Sequence, residues 1–169
     1  MTRIVAVAGL PGSGKTTVAK LLERRGFIYL SMGDVIRKEA QRLAITPDKA
    51  AVLVRLEHGK RAVIRQLLSS VRSVEKVVID GVRSLEEVEA MEEVGDVFLI
   101  YVVASRRARY QRLAGRGRED DPSTYAQFLM RDLRELRFGL ADLLARADYI
   151  VVNEGKTVEE VERELSFLT

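Results

Sequence analysis

The segment that decides the fold spans residues 4–16 and reads IVAVA followed by Gly9-Leu10-Pro11-Gly12-Ser13-Gly14-Lys15-Thr16. Five successive apolar residues predict a buried strand, and the glycine-rich turn after it matches the spacing G-x-x-x-x-G-K-[ST]. Such glycines let backbone N–H groups point inward around a phosphate, and a helix beginning near Lys15 adds positive potential. We therefore expect Lys15 to reach the β and γ phosphate oxygens and the Thr16 hydroxyl to ligate Mg²⁺.

Four further apolar, β-branched runs follow the first strand, with amphipathic stretches between them. They lie at residues 27–30, 77–79, 97–103 and 149–152. Near-continuous apolar strands that alternate with helices are typical of a parallel sheet covered on both faces. The prediction is an α/β protein with a five-stranded parallel sheet in a three-layer sandwich, the P-loop NTPase architecture. A chain of 169 residues without a repeat or linker is predicted to be one domain, residues 1–169.

Two segments interrupt the strand and helix alternation. The stretch at about 31–74 is longer than one crossover helix requires, and Thr46-Pro47-Asp48 within it is typical of a helix start. This stretch is predicted to be a helical insertion that forms a small flap. The second segment, at about 115–122, is rich in glycine and charge and is predicted to be a short, mobile lid loop.

Composition excludes several classes of site. The chain has no cysteine, which rules out disulfides and zinc–thiolate sites. Its 28 basic and 25 acidic residues leave a net charge of +3, too small to indicate nucleic-acid binding over the whole surface. No apolar run approaches the roughly 18 residues of a membrane span, and a cytoplasmic protein is expected.

Six arginines and no acidic residue lie between Arg106 and Arg118, and Glu119-Asp120-Asp121 follows directly. If this segment is helical, Arg109, Arg112 and Arg116 share one face, which is costly unless an anion faces them. The pattern favours a local anion site, with a triphosphate as the obvious anion. A solvated basic face or an RNA-binding edge is the alternative.

Two short motifs follow the second and third predicted strands. The first, Ser31-Met32-Gly33-Asp34-Val35-Ile36-Arg37, places Asp34 and Arg37 one helical turn apart, as a joint site or a surface ion pair requires. The second, Asp80-Gly81-Val82-Arg83, sets a carboxylate at the carboxyl end of a strand beside the phosphate loop. That carboxylate can hold the hydration shell of Mg²⁺, and the alternative is a polar strand-to-helix turn.

The motifs argue against some classes of nucleotide-binding protein, and they resemble those of one kinase group. No guanine-reading N-K-x-D segment is present, which argues against a GTPase, and the chain is short for a motor ATPase. Along its whole length it resembles the adenylate kinase group of nucleoside monophosphate kinases, and more closely an archaeal adenylate-kinase-related family. The motif at Arg37 resembles G-D-x-x-R, and the motif at Arg83 resembles D-G-[FY]-P-R without its proline. The arginine block resembles the donor lid and R-x-D-D, whose carboxylates orient lid arginines.

The resemblance implies specific roles for these residues. Catalysis would use Lys15, Arg83 and Arg116. ATP would bind Gly9, Leu10, Pro11, Gly12, Ser13, Gly14, Lys15, Thr16, Thr17, Arg112 and Arg116, with Arg112 stacked on the base. The acceptor would bind Asp34, Arg37, Arg83, Arg118 and Arg131, and Mg²⁺ would bind Thr16 and Asp80. For Arg131 the alternative is a surface ion pair with Asp132 or Glu135, and the single histidine, His58, is expected to be an ordinary surface residue.

The expected activity is that of an ATP- and Mg²⁺-dependent phosphotransferase acting on a nucleoside monophosphate or a similar nucleotide-like acceptor. The missing proline brings Asp80 and Arg83 one residue closer, which leaves open a kinase for dephospho-coenzyme A or another small phosphorylated metabolite. A nucleotide-switched protein that binds RNA or ribosomes, and a slow ATPase without an acceptor, also remain open at this point.

Overall fold

Five strands form a single parallel sheet in the order β2-β3-β1-β4-β5. The structure is a computed structural model that describes residues 1–71 and 73–169; Arg72, in the predicted insertion, lies outside the described residues. The strands are β1 (Thr2–Ala8), β2 (Ile28–Ser31), β3 (Lys76–Val82), β4 (Gly95–Val103) and β5 (Tyr149–Val152). The predicted α/β class and all five strands are confirmed, although β3 runs three residues further than predicted and carries Asp80 inside the strand.

Helices connect the strands and cover both faces of the sheet. They are α1 (Lys15–Arg24), α2 (Met32–Leu43), α3 (Pro47–His58), α4 (Ala62–Leu68), α5 (Leu85–Glu92), α6 (Arg106–Arg116), α7 (Tyr125–Glu135), a π-helical turn (Leu136–Leu140), α8 (Ala141–Arg146) and α9 (Val158–Glu164). Six begin at a Ser or Thr whose hydroxyl accepts a backbone N–H three residues later, at positions 31, 46, 84, 105, 124 and 157. In the described parts of the chain, none of these helices is long and apolar enough to cross a membrane.

Strand β1 lies at the centre of the sheet and is buried on both faces. Ile4 and Ala6 face the core under α2, α3, α4, α5 and α8, whereas Val5 and Val7 face the core under α1 and α9. Because β1 has two strands on either side, the loop that follows it is held at the middle of the sheet's carboxyl edge. The position of the phosphate loop is therefore set by the best-packed element of the fold.

The predicted insertion consists of α2, α3 and α4, but it is not a separate flap. Ala50 and Val54 of α3, and Val63 and Ile64 of α4, are buried in the same core as the sheet. The prediction of a flap followed from the length of the segment, and length does not reveal which helical faces pack on the sheet. His58, the last residue of α3, is exposed as expected.

The predicted lid loop is shorter than the sequence suggested. Helix α6 continues through Gly115 to Arg116, and Gly117, with φ 71°, ends it. The carboxylate of Asp121 then accepts hydrogen bonds from the Arg118 backbone N–H and from the Arg116 guanidinium. The freedom expected at Gly115 is thus absent, because that residue belongs to a regular helix.

Candidate active site

The candidate site lies at the carboxyl ends of the parallel strands. Gly9 follows β1, Ser31 ends β2, Asp80 lies in the last part of β3 and Ala104 follows β4. Open parallel sheets bind ligands at this edge because the loops that leave the strands converge there. The predicted phosphate loop and both predicted acidic motifs are brought together by this topology.

The glycines of the phosphate loop are required by their neighbours. A Cβ at Gly12 would stand 2.6 Å from the Arg109 carbonyl oxygen, and one at Gly14 would stand 2.0 Å from the Asn153 side-chain nitrogen. Both residues have positive φ, 80° and 92°, which side chains rarely adopt. A Cβ at Gly9 would lie 2.5 Å from a carbonyl oxygen of β4. The loop can therefore follow this path only with glycine at positions 9, 12 and 14.

The carbonyl side of the same loop is held by donors from elsewhere in the chain. Arg109 donates to the Pro11 carbonyl at 3.1 Å, and Arg112 donates to the Gly12 carbonyl at 3.2 Å. The Asn153 amide donates to the Ser13 carbonyl at 2.9 Å. Lys15 is the first residue of α1, so the first N–H groups of this helix have no partner within the helix and are free for an anion.

Lys15 lies among two carboxylates and two guanidinium groups. Burial lowers its pKa to about 8; Asp80 and Glu135 act to raise this pKa, and Arg83 and Arg131 act to lower it. The predicted residues Arg83 and Arg131 are thus brought into the electrostatic surroundings of Lys15. A phosphate in this position would favour the charged ammonium, because it would add negative charge beside it.

The two oxygens of the Asp80 carboxylate differ in their hydrogen bonding. Its Oδ2 accepts hydrogen bonds from the Thr16 hydroxyl at 2.7 Å and from the Tyr29 hydroxyl at 2.9 Å, and its buried Oδ1 has no partner among the described residues. Burial and the neighbouring Asp80 raise the pKa of Tyr29 well above its usual value, which keeps this phenol a donor. Hydroxyl and carboxylate oxygens are the ligands that Mg²⁺ prefers, so these residues fit the predicted metal.

Arg83 is held at two points. Its Nε donates to Glu135 Oε2 at 2.5 Å and its Nη1 donates to the Gly81 carbonyl at 3.1 Å. Burial raises the pKa of Glu135, but Arg83, Lys15 and Arg131 outweigh burial and hold it below its usual value. The ionised Glu135 therefore fixes the guanidinium beside the phosphate loop.

A β-bulge lies within the Asp80 motif. Asp80 pairs with Val7 and Val82 pairs with Ala8, so that Gly81 is an extra residue in β3. Its φ of 89° suits glycine. The bulge lies between Asp80 and Arg83, both of which belong to the electrostatic surroundings of Lys15.

Two cavities have one lining residue, Arg118, in common. The smaller, about 240 Å³, is lined by residues of the phosphate loop together with Arg112, Arg116 and Arg118. The larger is a cleft of about 870 Å³ between α2, the start of α3 and the lid turn. Its charged lining residues are Asp34, Arg37, Lys49, Arg118, Glu119 and Asp120. Arg118 lines both cavities, and Arg37 pairs with Asp34 at 2.5 Å as the sequence spacing predicted.

Comparison with known proteins places the chain in a family. The profile of a family described as "AAA domain" matches residues 5–136, and a UPF0200 protein of Pyrobaculum aerophilum is 69% identical over 166 residues, which cover 98% of this chain and 95% of that protein. The chain belongs to the UPF0200 family.

Among solved structures, a sugar kinase from Janibacter sp. HTCC2649 aligns with TM-score 0.65 at 20% identity over 99% of this chain and 95% of that one. Shikimate kinase from Bacteroides thetaiotaomicron aligns with TM-score 0.64 at 19% identity over 99% and 97%. The UPF0200 chain thus has the P-loop kinase fold.

Not every arginine of the predicted anion site faces a ligand in this UPF0200 protein. Arg109 is buried and forms a bidentate pair with Asp132, because it lies on the face of α6 that packs against α7. The expectation that Arg109, Arg112 and Arg116 together face one anion is therefore wrong for Arg109. Arg116 forms an ion pair with Asp121, and the Arg112 guanidinium donates a hydrogen bond to a carbonyl oxygen of the phosphate loop.

Arg131 pairs with neither Asp132 nor Glu135. It donates to the Asp120 carbonyl oxygen at 3.0 Å and approaches the Asp120 carboxylate at 3.4 Å, so that it binds the lid turn to α7. Tyr29 and Asn153 belong to no sequence motif and were not predicted as site residues, and Glu135 was predicted only as a partner for Arg131. These residues reach the site through strand and helix packing, which short-range spacing does not show.

Proposed function

We propose that this UPF0200 protein is an ATP- and Mg²⁺-dependent phosphotransferase that moves the γ-phosphoryl group of ATP to a nucleoside monophosphate or a similar nucleotide-like acceptor. The observation that carries the proposal is the position of Arg118, which lines both the cavity above the phosphate loop and the large charged cleft. ATP hydrolysis alone needs a phosphate loop but not a second charged cleft beside it. Two adjoining sites are what a transfer reaction requires.

The donor side follows from the loop geometry. The N–H groups at the start of α1, together with Lys15, would bind the phosphate chain, and Arg116 lies in the same cavity. Thr16 and Asp80 would hold Mg²⁺, which neutralises charge on the phosphates when it is bound. Arg112 both supports the loop and borders the donor cavity, where a base could stack on its plane.

The transfer step depends on positioning and charge rather than on a base. Arg83 suits this role because two of its three guanidinium nitrogens are fixed by Glu135 and Gly81 while the group stays near Lys15. A guanidinium held in this way can contact the moving phosphoryl group without first losing its own freedom. Glu135 also keeps the cluster of cations stable before the substrates bind.

The acceptor side is the cleft lined by Asp34, Arg37 and Arg118. Arg37 sits on α2 and Arg118 on the lid turn, so an acceptor phosphate between them would contact two separate elements. Arg131 contributes from α7 by holding the lid turn in place. Such a site favours an anionic acceptor, because guanidinium groups bind phosphate oxygens in pairs.

An RNA-binding function has less support from the arginine block. Three of its six arginines are engaged within the protein: Arg109 with Asp132, Arg112 with loop carbonyls and Arg116 with Asp121. The other three are divided between the two ends of α6: Arg106 and Arg107 lie at its start and Arg118 lies beyond its end.

The test is ADP release from ATP in the presence of Mg²⁺ against a panel of nucleoside monophosphates, with dephospho-coenzyme A and its precursors as hydroxyl acceptors. We expect one acceptor class to raise ADP release at least tenfold above the basal rate and to appear as phosphorylated product. Lys15→Ala should abolish this transfer and leave the fold intact, since Lys15 belongs to neither of the two apolar cores. ADP release that no acceptor changes, or salt-sensitive RNA binding coupled to nucleotide, would overturn the proposal.

A further inference from the structure

The two oxygens of the Asp80 carboxylate have different surroundings. Both hydroxyl donors, from Thr16 and Tyr29, bind Oδ2, whereas Oδ1 is buried and has no partner among the described residues. Asp80 is only 4% exposed. An unpartnered buried oxygen of this kind costs free energy and therefore calls for an explanation, such as a cation or its hydration water.

The orientation of this carboxylate needs a fixed donor. A carboxylate can rotate and exchange its two oxygens, so one oxygen faces the site consistently only if the other is held. Thr16 holds Oδ2, but Thr16 belongs to the first turn of α1 and would also ligate the metal. Tyr29 differs because it comes from β2, on the far side of β3 from β1, and is not part of the phosphate loop.

The Tyr29 ring is itself well placed to act as an anchor. The ammonium of Lys20 on α1 lies 3.6 Å from the ring centroid, and the ring packs against the core beneath α1. These contacts limit the movement of the ring. The phenol hydroxyl is therefore presented to Asp80 from a fixed direction.

We propose that Tyr29 is a positioning residue for the divalent cation: its hydroxyl holds Asp80 Oδ2 so that Oδ1 faces the cation that accompanies the nucleotide. The inference rests on the proposed function, because it assumes a nucleotide-bound divalent cation at Thr16 and Asp80. Tyr29 lies outside the sequence motifs, and through its bond to Asp80 it would strengthen the binding of the metal.

The experiment measures the Kd of Mn²⁺ for the protein saturated with a non-hydrolysable ATP analogue, by electron paramagnetic resonance. We expect Tyr29→Phe to raise this Kd about tenfold, which is typical for loss of a group that orients a metal ligand. The affinity for the metal-free analogue and the Tm should stay at the wild-type values. Tyr149→Phe is the matched control, because it removes a phenol that donates to Glu164 and lies on β5, at the opposite edge of the sheet from β2, and it should leave the Kd within twofold.

Wild-type Mn²⁺ affinity in Tyr29→Phe would overturn the inference. An equal loss of metal-free analogue binding would also overturn it, since that result indicates a general loosening of the site. Failure of the wild-type protein to bind Mn²⁺ with the analogue would refute the proposed function itself, and the two failures are told apart by the wild-type measurement alone. Should Tyr29→Phe not fold, Tyr29→Trp, which keeps an aromatic ring over Lys20 and places no phenol on Asp80, is tested in the same assay with the same expected rise.

Discussion

Arg109 and Asp132 form a bidentate ion pair in which both nitrogen–oxygen distances are 2.8 Å. The pair is buried between α6 and α7, and the same guanidinium donates to the Pro11 carbonyl and lies 5.0 Å from the Phe128 ring centroid. One residue thus joins two helices to the phosphate loop. Its charge supports the structure of the site rather than binding a ligand directly.

Removing the acidic partner should destabilise the protein strongly. We expect Asp132→Ala to lower the free energy of unfolding by about 3–5 kcal/mol, because it leaves the buried Arg109 without a counter-charge. Asp142→Ala, an exposed position on α8, is the control and should change stability by less than about 0.5 kcal/mol. Urea unfolding followed by circular dichroism measures both. Equal stability of the two variants would show that the pair contributes little.

Glycine at position 12 should be required for nucleotide binding and not for folding. Gly12→Ala places a Cβ 2.6 Å from the Arg109 carbonyl oxygen, so the loop must move, and we expect at least a hundredfold loss of ATP affinity. Gly59→Ala is the matched control, because Gly59 also has a positive φ, 85°, but has open space around it. Because its ψ of 168° places it in a region open almost only to glycine, the change should cost about 1–3 kcal/mol in stability and leave ATP affinity unchanged. Calorimetric titration of both variants distinguishes loss of the loop from simple backbone strain.

The sequence predicts those parts of this fold that depend on local pattern. The phosphate loop, the five strands and the Asp34–Arg37 pair follow from spacing and apolar runs, and the structure contains them. Partners that lie far apart in the chain were missed. Arg109 was assigned to an anion site because α6 presents it with Arg112 and Arg116, and only the packing of α7 shows that Asp132 neutralises it.

The predictions for the lid loop and for the insertion also rested on local pattern alone. Glycines at 115 and 117 suggested a loop, but a single glycine near a helix end is compatible with helix, and Gly115 lies inside α6. Tyr29 could not be found from the sequence, because a tyrosine in a strand is typical of sheet packing. Its contact with Asp80 depends on the pairing of β2 with β3.

The two cavities predict separate effects on the two substrates. Arg112→Ala should weaken ATP binding and Arg37→Ala should weaken acceptor binding, each by about 1.5–3 kcal/mol, which is the usual range for a charge-assisted contact. Steady-state kinetics with each substrate varied in turn give the two KM values. Arg163→Ala on α9, an exposed residue outside both of these cavities, serves as the control for loss of an arginine. If both variants raise the KM of the same substrate, the assignment of the cavities is wrong.

Nucleotide binding should weaken as the pH rises above about 8. The pKa of Lys15 in the protein without ligand is about 8, lowered chiefly by burial, and phosphate would raise it by favouring the ammonium. Below this pH the ammonium is already present and affinity should be constant; above it, binding must take up a proton and affinity should fall by up to tenfold per pH unit. Titrations at about pH 7.5 and 9 in buffers of different ionisation enthalpy measure this proton uptake. Equal affinity at both values, with no proton uptake, would contradict the assignment of Lys15.

We expect helix α7 to couple the movement of the start of α3 to that of the lid turn when the substrates bind. Arg134 of α7 donates to Asp48 of α3 at 2.6 Å, and Arg131 of the same helix binds Asp120 of the lid turn. Two walls of the large cleft, the start of α3 and the lid turn, are thus tied to one helix. Shielding a phosphoryl group from water requires these walls to tighten when both substrates are bound.

Hydrogen exchange with and without a bisubstrate analogue measures this closing. We expect residues 44–49 and 117–122 to gain protection together, whereas β1, β3 and β4 stay unchanged because they are already buried. In Arg134→Ala the gain at 44–49 should fall while the gain at 117–122 remains, because only the tie to α3 is lost. Arg146→Ala removes an exposed ion pair with Glu92, away from the cleft, and should behave as the wild type. Equal protection of both segments in the presence and absence of the analogue would indicate a static cleft and would favour a binding protein over a kinase that closes.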